Sequence, residues 1–581
     1  MPMPIRLRLL EKTGRALWLC KLCLVVGVVM LFSTMTAAQT PAPNIARLDR
    51  LAQRARSLEA APGFARARLY GVARNLTAFA DRWQALRARL ATPGAGALEN
   101  DGELAGDAAF AEVGIGAFSP ISTPTLDLSR YAGFTQSQTS TAWCGQNVIT
   151  MFNDTGSEAR TMAAQSGITA VGFANSSNSG HAFAYRGAPP GGTNFDQTVL
   201  GSPAVACADQ SNFFYAAIWI DTLNNVTGVA FARSSDAGHT FAAPIVAASR
   251  SASADFVDHS WLAIDSNHAT IYIANADLDY SGSFCGTDPD TGSTIPRYAI
   301  ELVTSTDVGV TWTAPPAVIE QVCANAANPW AAVMGPQVAI GPAGQVYIAY
   351  EAAGANGGGP GSRQIKIARS DNSGVTFAPG VIVAAVTPVG DGADLQGFVR
   401  ANEFPSLEIG KGKKDLGFIY LTWNDGSNAV PDTMTTTGSY TFADIKFSVS
   451  QDGGETWKAP TIVNNNAKGG GPPLTDQFEP VVAADKSGTI AVCFYDRRRD
   501  ANNFKIDREC AKSKNGSSTW TNKRVTANSF PTEVGQDLLV APDYMGDFDA
   551  VAADSTNQTA GFIDSYADNS AGHPNVMTDR P

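Results

Sequence analysis

Between residues 176 and 520 one short turn is written six times. STDVGVTW (305–312) and SQDGGETW (450–457) are its fullest copies, SSDAGHTF (234–241) and SDNSGVTF (370–377) follow, and SSNSGHAF (176–183) and SKNGSSTW (513–520) are worn versions. Their starts lie 58 to 80 residues apart. A turn recurring at that interval marks one supersecondary unit per copy, and such units bury their apolar faces only by stacking on one another.

Each unit repeats a grammar. An apolar stretch opens it, often after Pro or Ser: SPAVACAD (202–209), SWLAID (260–265), GPQVAIG (335–341), FPSLEIG (404–410), EPVVAAD (479–485). A turn follows, then an aromatic-rich strand (FFYAAIWI, TIYIANA, QVYIAY, GFIYLTW, TIAVCFY), then a third strand that runs into the repeated turn. The Thr-Trp or Thr-Phe of the turn opens a fourth. Four antiparallel strands per unit, repeated around a ring, define an all-β propeller.

The turn's composition is scaffold chemistry. Gly238, Gly309, Gly374 and Gly454 supply positive φ. Asp236, Asp307, Asp371 and Asp452 can accept hydrogen bonds from loop amides, and the aromatic after them can pack between sheets.

A second series lies where the second strand of each unit ends: Asp154, Asp221, Asp277, Glu351, Asp425, Asp496 and Asp564. These seven sites exceed the turns by one, which favours seven blades over six. The last unit then closes the ring by borrowing a strand from residues 112–130. If the repeated turn joins strands three and four, the seven acids gather at the opposite mouth as an electronegative rim for sugars, cations or basic polymers. The longest loops expected there are 277–297 and 425–442. Asp496 and Arg497 stand together and are the candidate catalytic pair.

Residues 1–38 place five Lys/Arg before the apolar run 22–35 and small residues at 36–38, the order of a secretory signal. No later run is long and apolar enough for a span of about 20 residues. Residues 41–92 carry ten Arg against three acids in three- and four-residue apolar steps, a basic helical segment; 93–118 read as an acidic linker; 119–581 form the propeller. The whole chain carries −12. The basic arm therefore suits docking on its own acidic body, and no base-reading motif accompanies it, so nucleic acid is not expected as a partner.

Of eight cysteines, six follow the signal, and an even number in an exported chain permits three disulfides. Cys493 and Cys510 lie on consecutive strands, Cys144 and Cys207 at equivalent places in adjacent units, and Cys285 and Cys323 remain. No cofactor is implied. The loop 279–293 is rich in acids but lacks the spacing of a calcium loop, and no Cys–His set fits zinc. A Gly-x-Ser-x-Gly elbow is also absent.

The form S-x-D-x-G-x-T-W/F resembles the Asp-box, or BNR repeat, of the sialidase superfamily, over roughly residues 139–578. HSWLAID (259–265), FYDRRRD (494–500) and DYMGDFDAVAAD (543–554) are similar to segments of exported bacterial Asp-box proteins. The resemblance implies a six- or seven-bladed propeller with its ligand site at the axial mouth opposite the Asp-boxes. It also implies what a sialidase would need: an Arg-Ile-Pro signature, three arginines on the substrate carboxylate, a Tyr–Glu pair and an Asp acid/base. Here the nearest string is Ile295-Pro296-Arg297, in the wrong order, and Tyr495 with Glu479 could form the pair without any spacing rule to support it. Three functions stay open: a glycan-binding or glycan-processing propeller, an exo-glycosidase of sialidase type, and a non-catalytic interaction scaffold.

Overall fold

The computed structural model describes residues 119–120 and 135–581 with short interruptions, the longest being 355–361, 432–438, 467–473 and 532–544. The signal, the basic segment and the linker expected from sequence lie outside the described residues.

Seven four-stranded antiparallel blades follow one another along the chain. Blade 1 takes its strands from Gln136–Cys144, Asn147–Asp154, Val171–Ser176 and Ala184–Gly187. Blades 2 to 6 open at Gln197, Asp255, Ala332, Ser406 and Gln477. Blade 7 holds Ala550–Ala552, Ile563–Asp568 and Asn575–Asp579, and its outermost strand is Ser119–Pro120, paired with Thr578 and Met577. The ring is thus closed by an N-terminal strand from within the interval the sequence suggested.

The burial of each strand explains its composition. Phe213–Asp221, a second strand, is buried at every position because both faces pack against neighbouring blades. The outermost strand of the same blade, Ile245–Ser251, is mostly open, as an edge strand of a propeller must be. A helix, Thr155–Ala163, interrupts the pattern after the second strand of blade 1.

The repeated turns join strands three and four. In five copies a serine hydroxyl donates to the acceptor two residues on and accepts the N–H of the glycine: Ser176, Ser234, Ser305, Ser370 and Ser450. Asp236, Asp307 and Asp452 then take the backbone N–H of the threonine four positions later. In the fourth copy that acceptor is Asn372, at 2.9 Å from the Thr376 nitrogen. Asp371 is not the box residue; it lies one position early and pairs at the surface with Arg369. An amide oxygen serves as well as a carboxylate here because the turn needs only an acceptor.

The box aromatics pack on the preceding blade. Phe241 meets Phe173 of blade 1 edge-on at 5.2 Å, Trp312 meets Phe231 of blade 2 at 4.9 Å, and Trp520 meets Phe447 of blade 5 at 4.9 Å. Such edge-to-face pairs add about 0.5–1.5 kcal/mol each beyond the area they bury. Gly238 has a second reason to be glycine: a Cβ there would stand 1.9 Å from Ile149 Cδ1 of blade 1.

All three expected disulfides form. Cys144–Cys207 ties blade 1 to blade 2, Cys493–Cys510 spans directly opposite residues of blade 6, and Cys285–Cys323 anchors the long loop of blade 3. The other long loop is a correction. In blade 5 the strands Ile419–Pro431 and Ser439–Ser450 continue outward as one hairpin through most of 425–442, their ladder running from Asp425↔Asp444 to Pro431↔Ser439.

Candidate functional site

The innermost strands break their own ladder at the same level. Register shifts fall between Ser137 and Ser140, Gly201 and Ala204, Asp258 and Trp261, Met334 and Gln337, and Phe478 and Val481. At each bulge one residue takes positive φ: Gln138 (56°), Ser202 (50°), His259 (50°), Gly335 (62°) and Glu479 (49°). Four of the five are not glycine, so the backbone there is held against its preference by roughly 1–2 kcal/mol apiece. Strain of this kind persists where the surroundings enforce it, and bulges re-aim side chains.

The residues so aimed meet at the axis. Glu479 and His259 line a recess together with Asn402, Asp547 and the rings of Trp261, Phe404 and Phe548. Counted out to bulk solvent the recess is about 420 Å³, but its free interior is only about 20 Å³, room for roughly one water.

His259 is clamped between two carboxylates. Its Nδ1 is 3.6 Å from Asp258 Oδ2 and its Nε2 is 3.4 Å from Asp547 Oδ2, with the ring edge-on to Phe404 at 4.9 Å. Burial works against the charged imidazole, yet Asp258 and Asp547 outweigh it and hold its pKa above the ordinary value. Burial likewise holds Asp258 above the carboxylate range, with His259 opposing. Asp547 is also gripped by the Arg400 guanidinium and by Asn402 Nδ2 at 3.2 Å. Arg400 arrives from a two-residue-by-two-residue hairpin, Asp394–Leu395 with Val399–Arg400, inserted between blades 4 and 5. Val389, Leu395 and Val399 of that insertion share an apolar cluster with Phe478 and Tyr495 of blade 6 and Tyr566 of blade 7, so it bridges from the fourth blade to the axis.

Glu479 is 4% exposed. Its Oε1 has no hydrogen-bond partner among the described residues. Burial, then Asp549 and Asp547, push its pKa well above the usual range, with Arg508 and Arg400 opposing. Arg508 is committed elsewhere. It bonds Asp564 through Nε at 2.9 Å and Nη2 at 2.8 Å, reaches Asp549 at 3.2 Å, and lies 4.8 Å over the Tyr495 ring. Asp549 is pushed up to about 6, mainly by burial. The Tyr495 hydroxyl is taken by the Ala567 backbone, donating to its carbonyl at 3.0 Å and accepting its N–H at 2.9 Å.

The seven acids read from sequence lie at the end of the blades opposite the repeated turns, as expected, but they do not form an exposed ring. Counted from the residue paired with the box serine, Asp154, Asp277, Asp425 and Asp496 share one position, Asp221 lies two further, and Glu351 falls one short, on the other face of its strand. Asp564 is mid-strand, and the matching end position in blade 7 is Asp568.

All but Asp425 are nearly fully buried, and each serves its own blade or the segment before it. Asp154 caps the helix through Gly156 N–H at 3.0 Å and Ser157 Oγ at 2.5 Å. Asp221 closes its turn on Asn224, and Asp277 takes Arg297 at 2.8 Å. Glu351 faces Arg363 at 3.5 Å, Asp425 accepts Thr387 N–H at 3.0 Å, and Asp564 holds Arg508. Asp496 and Arg497 turn apart: Asp496 pairs with Arg498 at 2.5 Å, and buried Arg497 pairs with Asp476 at 3.3 Å.

Sequence reasoning touched the axial residues without seeing their role. His259 and Asp547 lay inside strings noted for family likeness, and Glu479 was one half of an unsupported pair. A usable signal was present: Pro203, Pro336 and Pro480 follow the bulge residues, and proline inside a sheet marks an edge or a bulge. It was taken as the start of the strand, which begins earlier.

One further group, Cys493, Cys510 and Asp564, brings three metal-type ligands together among the described residues, but its cysteines form a disulfide. In the loop 279–293, Asp288 uses its carboxylate on the N–H groups of Asp290 and Thr291.

No protein-family model matches the chain, and no curated protein is similar to it. Solved structures are similar in fold. An ulvan lyase, from a new family of polysaccharide lyases, is 9% identical, with 81% of this chain and 94% of that one covered and a TM-score of 0.45. A sialidase described as Hadza microbial is 12% identical over 70% and 73%, TM-score 0.37. An α-L-arabinofuranosidase from Fusarium graminearum is 11% identical over 66% and 98%, TM-score 0.40. Likeness at this level does not bear on function.

Proposed function

We propose that this protein is an exported seven-bladed propeller that binds or processes a glycan at the axial mouth, on the face opposite the repeated turns. The observation that carries the reading is the convergence there of Glu479, His259 and Asp547 with Trp261, Phe404 and Phe548. Carboxyl and imidazole groups suit sugar hydroxyls, aromatic faces suit the apolar face of a sugar ring, and few convergent polar groups in an apolar recess is the usual form of a ligand site. The Asp-box resemblance and the three disulfides agree with a glycan-directed protein of an oxidising compartment.

Hydrolysis is a second reading, favoured by one feature. Glu479 tends to keep its proton, whereas Asp547 is held by a guanidinium. Two carboxyl groups in such different surroundings are the arrangement from which acid and base roles arise. A sialidase fits less well, because no Arg or Lys lines the recess among its described residues. Asp496 and Arg497 hold strand ends, so the proposal places the chemistry one strand further in.

The test is a binding screen of the purified protein on immobilised glycans, with aryl-glycosides, sialosides included, assayed in parallel. Binding removed by Asp547→Ala with the fold retained supports the mouth. Binding unchanged by Asp547→Ala and by Glu479→Gln places the site elsewhere and ends this reading.

A further inference from the structure

The recess is specific about charge and size. Glu479 and Asp547 line it, Asp549 stands behind, and the guanidiniums that face them, Arg400 and Arg508, are already spent on Asp547 and on Asp564 and Asp549. Glu479 Oε1 is left without a partner at 4% exposure, an unusual state for a carboxyl group. An anionic sugar end would meet carboxylates, and the one wall group able to carry positive charge, His259, is already clamped between Asp258 and Asp547. The recess narrows at its floor to a space that suits a compact group. Three aromatic rings in the same wall add faces that attract cations.

We infer that the axial recess is a subsite for one primary ammonium group of an amino-bearing sugar, received by the Glu479 carboxyl against Asp547. This rests on the glycan reading above and narrows it to glycans with free amines. Three N–H donors on a compact cation match one unpaired carboxyl oxygen and a neighbouring carboxylate. Binding moves one proton: Glu479 gives its proton to the buffer, and its carboxylate pairs with the incoming ammonium. The charged groups that face Glu479 are Asp547, Asp549, Arg400, Arg508 and the ring of Tyr495, with His259 and Asp258 beyond Asp547. Without a ligand they favour the neutral acid, and an ammonium reverses that balance.

The experiment is titration calorimetry at pH 6 of the whole protein with glucosamine oligomers, their N-acetylated counterparts and lysine oligomers, each in two buffers of different ionisation enthalpy. The glucosamine oligomer is expected to bind at least about tenfold tighter than the acetylated one, the ratio that 1.4 kcal/mol gives, and to release protons to the buffer as it does so. Glu479→Gln should lose both the preference and the proton. Equal binding of acetylated and free-amine oligomers overturns the subsite while leaving the glycan reading intact. Lysine oligomers binding as tightly as glucosamine, with the same proton release, keep the subsite and overturn the glycan. No binding by any of them overturns both. Should Glu479→Gln not fold, the proton count of the unmodified protein decides, since a subsite without Glu479 releases none.

Discussion

Glu479→Gln should make the propeller more stable at neutral pH, and the gain should depend on pH in a defined way. Burial and the carboxylates of Asp549 and Asp547 raise this group's pKa well above its ordinary 4.5. For an acid raised on folding, the folded state binds the extra proton. Its favourable contribution is therefore present at low pH and lost as pH rises above 4.5 toward the folded value. While folded Glu479 keeps its proton and the unfolded chain does not, each pH unit removes about 1.4 kcal/mol of stability. The loss begins near 4.5 and continues with rising pH until the folded value is passed. Gln does not titrate, is close in shape, and brings an amide donor toward the carboxylates that now crowd Oε1. Urea unfolding of both proteins at pH 4.5 and at pH 7 measures the difference. The variant should match the parent at pH 4.5 and exceed it at pH 7 by at least about 1.4 kcal/mol, the loss over one pH unit. A difference that is the same at both pH values, or a variant less stable at pH 7, refutes the electrostatic account of the axis.

Three further outcomes follow from the same contacts. Arg508→Met strands buried Asp564 and Asp549 and should cost about 3–5 kcal/mol in urea unfolding. Adding Asp564→Leu to it should restore part of that, whereas a single-variant loss under about 1 kcal/mol would show the clamp is not what joins blades 6 and 7. Replacing Cys144 and Cys207 with alanine opens a loop of 63 residues and should cost about 4 kcal/mol, against about 3 for Cys493 and Cys510 with 17; thermal midpoints in the reverse order would contradict the loop-closure argument. Asn372→Ala should cost about 1 kcal/mol, whereas exposed Asp371→Ala should change unfolding by less than about 0.5. Equal effects would place the box acceptor wrongly.

The propeller was legible because its blade turns obey local chemistry. Serine, acceptor and glycine at fixed spacing dictate the same hydrogen bonds in five of the six copies, and the aromatic that follows packs against the blade before it. The count of seven and the N-terminal closing strand came instead from the second-strand acids, one more in number than the turns. The acids at the second-strand ends were also real, but their number and spacing said nothing about partners. Arg297 for Asp277, Arg363 for Glu351 and Arg508 for Asp564 come from other strands or other blades, at separations of 12 to 56 residues. Regularity also misled: FID was matched to FYD by appearance, while the ladder equates Asp496 with Asp568. The axis was illegible for the opposite reason. His259 and Glu479 occupy breaks in the repeat, where period-two alternation fails, Asp547 lies ahead of the first strand of its blade, and a search for what recurs passes over them.

That contrast bears on where function can reside in a ring of this kind. At the second-strand ends each acid meets an arginine, a turn or a backbone N–H, and Arg363 serves two, Glu351 and Glu403, so a side chain there can be changed only at the expense of the fold. The axis differs. Asp258, Glu479, Asp547, Asp549 and Asp564 face Arg400, Arg508 and His259, five acids against at most three positive charges. Bound protons on Glu479 and on the Asp258–His259–Asp547 group can meet that excess, and so can a cation from outside. A folded chain that holds such an imbalance at the one level where seven strands converge, on backbone turned into positive φ, gives up stability that uncharged residues there would supply. Strand-end carboxylates with arginines across from them hold blades together; an axial carboxyl group with an empty lone pair and a water-sized space before it is what a ligand can use.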